Sequence, residues 1–183
     1  MILFVNACVR ENSRTRQLAE ALLSETKEEI CEVKVADIDF PAVNEAFLKK
    51  RDSLIENAKW DDPLFDLARQ FASADTIIIA APYWDLSFPS CLKQYFEQIN
   101  VLGITFEYSA DGQPVPKCKA NKLCYVTTAG GAYVPEEFGF GYVKALAHGF
   151  YGIDDVQLIK ATGLDIYGAD VKEIMRKAIE SIL

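Results

Sequence analysis

The 183-residue sequence predicts an α/β protein: one doubly wound, five-stranded parallel sheet with helices on both faces. Two observations predict it. Short, continuous apolar runs rich in Ile and Val recur at wide intervals, the pattern of strands buried on both faces. Segments with helical spacing lie between them, and strand alternating with helix implies βαβ units on a parallel sheet. The length suits a single domain over residues 1–183, and half of the chain is apolar, enough for a core without disulfides.

The strands are read in order at Ile2 to Val9, Cys31 to Ala36, Thr76 to Ala81, Lys122 to Thr128 and Val156 to Ala161. The second alternates; the others are near-continuous. Five strands fit a flavodoxin-like doubly wound order better than an eight-stranded barrel. Leu18, Leu22 and Leu23 share one face of the first helix. Further faces are marked by Leu64, Leu67, Ala68 and Phe71, by Leu92, Tyr95, Phe96 and Ile99, and by Val143, Leu146, Ala147 and Phe150. Val171, Ile174, Met175, Ala178 and Ile182 form the last. An extra helix is expected between Asn44 and Trp60, with Pro63 starting the one after it. From Gly103 to Cys118, with Gly112, Pro114 and Pro116, the rhythm breaks into loop and short strand, a place where function often sits.

Composition narrows the function. A formal charge of −8 argues against nucleic-acid binding and against docking on anionic lipid. No run approaches the ~20 apolar residues that span a bilayer, so no membrane insertion is expected. The opening MILFVNACVR is too short for the core of a secretory leader. Cys8, Cys31, Cys91, Cys118 and Cys124 are odd in number and show no CxxC spacing, which reads as reduced thiols in a cytoplasmic protein. His148 is the only histidine, so no metal site is expected.

In such a sheet, ligands bind beyond the carboxyl ends of the strands. Three loops reach that edge. The first, Arg10 to Arg16, offers Ser13 as an N-cap and places arginines in a first helical turn, where the macrodipole favours negative charge. An anion such as a terminal phosphate, held by amides, the Ser13 and Thr15 hydroxyls and guanidinium forks, explains them; so does a capped helix with solvated arginines. The Rossmann and P-loop glycine fingerprints are absent. The second loop, Ala81 to Pro89, sets Tyr83 and Trp84 between Pro82 and Pro89, a stiff ledge for a planar ring or a core cluster that fixes the next helix. Asp85 gains nothing from a core cluster, so it caps the next helix or faces a ligand. The third loop, Thr127 to Tyr133, brings Gly130 and Gly131, which permit close backbone approach, and Tyr133, placed to flank a ring. An ordinary strand-to-helix turn is its plainer reading. Together the loops suit a ligand with one phosphate and a planar heterocycle, a description that FMN meets. Cys8, near a helix start and arginines, reads either as a buried structural thiol or as one with a lowered pKa.

At these residues the sequence resembles the flavodoxin-like FMN-dependent NAD(P)H:quinone oxidoreductases and azoreductases. The most specific stretch is APYWDLSFPSCLKQYFEQINVLGITFEY, Ala81 to Tyr108. NSRTRQLAEAL (Asn12 to Leu22), TTAGG (Thr127 to Gly131) and GFYGIDDVQLIKATGL (Gly149 to Leu164) extend the likeness over most of the chain. The resemblance implies that Ser13, Arg14 and Thr15 hold the phosphate; Arg10, in the same loop, is a further candidate from the loop itself. It implies that Pro82, Tyr83, Trp84, Asp85 and Leu86 line the flavin ring and that Thr128, Ala129, Gly130 and Gly131 cover its pyrimidine side. Tyr108 matches an aromatic near the family's substrate site. This chain has Ala7 and Cys8 where serine is frequent, Asp85 where asparagine is common, and Trp84 where tyrosine is usual.

The resemblance further implies FMN, rather than FAD, as cofactor and NAD(P)H as co-substrate. Two electrons would pass to a small-molecule acceptor, a quinone or azo compound, in a homodimer whose sites lie at the interface. The cofactor would carry the chemistry, so Asp85 and Tyr108 are candidates for tuning or substrate contact only. Two other classes stay open: a flavodoxin-type electron carrier, which the acidic surface suits, and a non-catalytic flavin-binding protein.

Overall fold

The computed structural model describes residues 1–182; the expected end of the domain, Leu183, lies outside the described residues. Five strands form the main sheet: β1 (Ile2–Asn6), β2 (Ile30–Lys34), β3 (Thr76–Ala80), β6 (Lys122–Thr128) and β7 (Asp155–Ala161). All pairs are parallel, and the order is β2-β1-β3-β6-β7. Counted among these five strands the order is 2-1-3-4-5, the flavodoxin-like doubly wound arrangement that the strand count leads one to expect.

Why the middle strands read as continuous apolar runs is plain from their surroundings. β1 is buried throughout, and successive side chains enter opposite cores. Leu3, Val5, Ile77, Ile79, Leu123 and Tyr125 join the helices α3 (Asp66–Ser73), α4 (Ser90–Ile99) and α5 (Phe140–Leu146) on one face. Ile2, Phe4, Ile78, Ala80, Cys124 and Val126 face α1 (Arg14–Ser24) and α6 (Val171–Glu180) on the other. Each such buried side chain contributes about 1.5–3 kcal/mol of transfer free energy. The edge strands β2 and β7 are half-exposed, which is why β2 alternates.

Several boundaries differ from the sequence reading, each for a local reason. β1 ends at Asn6, not Val9, because the Asn6 side chain captures the Cys8 amide and turns the backbone out of the ladder. β2 starts one residue early and stops at Lys34, where Val35–Asp37 close a 3₁₀ turn. The extra helix is α2 (Glu45–Glu56), capped by the Asn44 side chain on the Phe47 amide at 3.0 Å. Pro63 begins a 3₁₀ turn, Pro63–Phe65, capped by Asp62, and α3 follows it directly. Past Leu146 the helix widens into a π turn, Ala147–Tyr151, which Gly152 ends at φ 70°. A side chain at Gly152 would strike Pro116. The final helix stops at Glu180, so Ile182 falls beyond its regular part. The Gly103 to Cys118 excursion is a two-stranded antiparallel hairpin, β4 (Phe106–Tyr108) and β5 (Pro114–Pro116). Among the described residues no helix is long and apolar enough to cross a membrane.

The amino end of the sheet is fastened by charge. Asp75, just before β3, accepts from Lys119 and from the Met1 ammonium, each at 2.6 Å. Lys119 first, then the ammonium, hold its carboxyl down at about 2. A carboxyl whose folded pKa lies below its ordinary value of ~3.9 stabilises the fold above that value and stops doing so as pH falls through the lowered one. Asp75→Asn is therefore expected to be less stable than the parent at pH 6, with the gap shrinking between about pH 4 and 2. Chemical denaturation at a series of pH values checks this; a gap that stays constant contradicts it.

Candidate functional site

β1 and β3 are neighbours in the sheet, yet the helices that follow them pack on opposite faces, α1 in one core and α4 in the other. Their loops therefore part at the carboxyl ends and leave a crevice, as the topology requires.

The first loop leaves β1 at Asn6, a buried residue engaged twice. Its Nδ2 donates to Glu32 Oε1 at 2.8 Å, and its Oδ1 accepts from the Cys8 amide at 2.9 Å. Ser13 caps α1, its Oγ accepting from the Arg16 amide at 3.3 Å. Thr15 is buried and shares a hydrogen bond with Thr128 across 2.7 Å, Oγ1 to Oγ1, which ties the start of α1 to the end of β6. No acidic residue occupies the first turn of α1, so its unpaired amides and dipole favour an anion. Arg14 reaches across the cleft and donates to Leu164 O at 3.1 Å and to Asp165 Oδ1 at 2.7 Å. Arg16 pairs with Glu20 at 2.7 Å. Among the described residues Arg10 makes no ion pair.

The second loop runs on beside β6, with the Tyr83 amide donating to Thr128 O at 3.0 Å, before it reverses. Trp84 and Ser87 exchange backbone hydrogen bonds of 3.1 and 2.7 Å. Between them Asp85 and Leu86 both take positive φ, 48° and 67°, a two-residue turn of type I′. Glycine and asparagine are the residues at ease there; a leucine costs about 1–2 kcal/mol. The Ser87 hydroxyl donates to Phe138 O at 2.7 Å and holds the turn to the segment ahead of α5.

The third loop leaves β6 alongside the segment that follows β7. The Ala129 amide donates to Ala161 O at 2.9 Å, and the Asp165 amide donates to Gly130 O at 2.9 Å. A Cβ at Gly130 would meet the Asp165 carboxylate in its present position, so a larger residue there would displace that side chain.

These segments enclose a cleft of about 220 Å³. Arg10, Ser13, Arg14 and Thr15 line one side of it, Pro82, Tyr83 and Trp84 another, and Thr128, Ala129, Gly130, Leu164 and Asp165 a third. Trp84 also borders an adjoining cleft of about 490 Å³, into which Asp85, Ser87 and Phe88 look. Most of the residues that the sequence singles out are thus brought together. Four are not in either lining: Leu86 and Gly131, and the exposed Tyr133 and Tyr108. Tyr108 stands on β4, packed edge-on against Phe106 with ring centroids 5.6 Å apart.

Sequence reasoning missed Asn6, Leu164 and Asp165. A fourth loop at the carboxyl edge, after the last strand, was the available signal. Of the two readings of Cys8, the structure favours the buried structural thiol: burial pushes it up to about 11, outweighing the hydrogen bond from Ser13 and the charge of Arg16. It stays a neutral thiol near pH 7.

A cleft at the switch point of a doubly wound sheet, with a helix start facing an aromatic ledge, is the place where doubly wound α/β proteins take their ligands. The family described as having the flavodoxin-like fold matches residues 1–183, and the chain belongs to it. It is 34% identical to an FMN-dependent NADH:quinone oxidoreductase of Clostridium perfringens, strain SM101, over all of this chain and 96% of that protein. A relative of the same name from Lachnoclostridium phytofermentans is 35% identical over 98% of this chain and 94% of that one. Among solved structures, an azoreductase from Bacillus anthracis strain Sterne superimposes with a TM-score of 0.85 at 24% identity, covering 99% and 95% of the two chains. An FMN-dependent NADH-azoreductase of the Ames Ancestor strain, in complex with FMN, gives 0.80 at 22% identity over 99% and 94%. These two structures share the fold.

The strained turn yields a direct test. Leu86→Gly is expected to leave stability unchanged or raise it by up to about 1 kcal/mol, since relief of the left-handed strain offsets the added chain entropy. Leu86→Val, β-branched, is expected to lower it. Urea denaturation of both variants checks the pair; a glycine variant clearly weaker than the parent contradicts the strain.

Proposed function

We propose that this chain, folded as one flavodoxin-like domain, is an FMN-dependent NADH oxidoreductase that passes two electrons to a quinone or azo acceptor. One observation carries the reading: an anion cradle and an aromatic ledge face each other across a single cleft at the topological switch point. The names of relatives that match the chain along its length support it.

The residues present fit the group. Ser13 and Thr15 bring buried hydroxyls to the start of α1, Arg14 and Arg10 bring guanidinium groups, and Tyr83 and Trp84 bring an apolar surface. Ser13, Arg14 and Thr15 would hold the phosphate, with Arg10 free to close over it. The backbone from Pro82 to Leu86 would edge the ring, and Thr128 to Gly131 would face it from β6. When bound, FMN supplies the redox chemistry, taking a hydride from NADH and giving two electrons to the acceptor. The protein's share is to orient, to exclude water and to set the local field.

Trp84, Leu86 and Phe138 are exposed large side chains on the loops beside the clefts, and Tyr108 is exposed on the β4–β5 hairpin. A second copy of the chain, forming a homodimer, would cover such surface, and Tyr108 and Tyr133 would then border a site built from both chains. The five free cysteines suit a reducing, cytoplasmic setting.

Asp85 is the residue whose charge this reading can test. Asparagine tolerates the left-handed turn as well as aspartate does, so Asp85→Asn removes a charge and keeps the backbone. With FMN bound, the variant is expected to show a higher flavin midpoint potential and an altered rate of NADH oxidation with menadione or an azo dye. Equal potentials and equal rates for parent and variant contradict a tuning role. A parent protein that holds FMN yet oxidises no NADH with either acceptor contradicts the proposed activity.

A further inference from the structure

The cleft contains a group that a site for a phosphate does not call for. Asp165 lines the same cleft as the start of α1, and its carboxylate lies directly over Gly130. Its Oδ1 accepts from the Arg14 guanidinium at 2.7 Å, while the other terminal nitrogen of Arg14 donates to Leu164 O at 3.1 Å. Arg14 is thereby held to the segment after β7 by one N–H of each terminal nitrogen. Of the three arginines in the first loop and first turn, Arg16 is also paired, and only Arg10 is left without an acidic partner among the described residues.

The placement is built in. The absence of a side chain at Gly130 leaves space for the carboxylate, and the Asp165 amide donates to Gly130 O at 2.9 Å, so backbone pairing fixes where the side chain starts. Yet the pair itself is a poor stabiliser. The side chains of Arg14 and Asp165 are 36% and 66% exposed, and exposed pairs contribute little to folding. The fold therefore does not depend on this ion pair, and a stronger anion displaces it at small cost. A phosphate monoester carries nearly twice the charge of a carboxylate, with three acceptor oxygens for a guanidinium fork.

We infer that Asp165 is an internal competitor for Arg14: the phosphate of the flavin nucleotide has to share the guanidinium with it or draw it away, so Asp165 weakens and tunes the hold on the phosphate end. The inference rests on the flavin reading for the identity of the nucleotide, but the competition concerns any phosphate in the cleft. Asp165 also repels that phosphate directly. Asp165 lies over Gly130, which the flavin reading sets beside the ring, but the ring is uncharged, so the effect of the carboxylate falls on FMN far more than on riboflavin.

The test compares the parent with Asp165→Asn, whose amide fills the same space over Gly130 without the charge. Flavin-free protein is titrated with FMN and with riboflavin, following quenching of flavin fluorescence. Removing one charge from a cleft that holds a dianion is expected to tighten FMN by about five- to thirtyfold, with riboflavin changed much less. Inorganic phosphate is titrated in parallel through its effect on melting temperature, and Asp165→Asn is expected to bind it more tightly. In Arg14→Gln protein, which has no guanidinium to compete for, the gain from Asp165→Asn is expected to be smaller. Weaker FMN binding by Asp165→Asn, or equal shifts for FMN and riboflavin, overturns the proposal, because Asp165 would then position Arg14 or act on the whole cleft. If the parent binds neither flavin, the flavin reading fails on its own, and the phosphate titration still decides: tighter phosphate in the variant upholds the competition, equal affinity overturns it.

Discussion

The pairing of β1 with β3, register Ile2 to Thr76 through Asn6 to Ala80, is the constraint from which the cleft follows. Both strands are buried among other strands and helices, so neither can shift without exposing a face of one core or the other. Their side chains alternate between two cores, and α1 and α4 are drawn to opposite faces by Leu18 and Leu23 on one side and Leu92, Tyr95 and Phe96 on the other. Two adjacent strand ends must then send their chains in opposite directions. The gap between them holds the start of α1, with amides that the helix cannot satisfy.

Around that gap, local preferences are overruled repeatedly. Leu86 sits in a left-handed conformation that leucine disfavours, and Asp165 lies in a cleft whose helix end favours an added anion. Asn6, in the middle of a sheet, spends its side chain on a neighbouring strand and on a turn. Away from the cleft, Asn44, Asp62 and Asp170 cap the segments that follow them, and glycines stand at most turns of positive φ, Ala58 at 51° being an exception. Backbone strain at a cleft, as in the Asp85 and Leu86 turn, is a recurrent mark of functional sites.

This distribution also explains what the sequence makes legible. Ile77, Ile78 and Ile79 announce a central strand because burial on both faces removes any need for alternation. Ser13 announces a helix start through local chemistry alone, and the Asp85 loop stands out because a carboxylate among aromatics has no packing role. What escapes depends on contacts made far along the chain. Arg14 and Asp165 are 151 residues apart, and neither sequence neighbourhood hints at the other. Gly130 reads as a flexible turn, although the Asp165 carboxylate lies directly over it. The turn at Asp85 and Leu86 carries no glycine, so the residues that usually announce positive φ were missing.

The central claim is that this cleft holds one FMN through its phosphate and its ring. The most direct measurement is the visible spectrum of the protein purified without added cofactor, together with identification of any flavin released on denaturation and, if the protein is colourless, a reconstitution with FMN. The account predicts a yellow protein, or one that becomes yellow on reconstitution, releasing FMN at about one equivalent per chain. A protein that stays colourless after reconstitution, or one that releases only FAD, contradicts it.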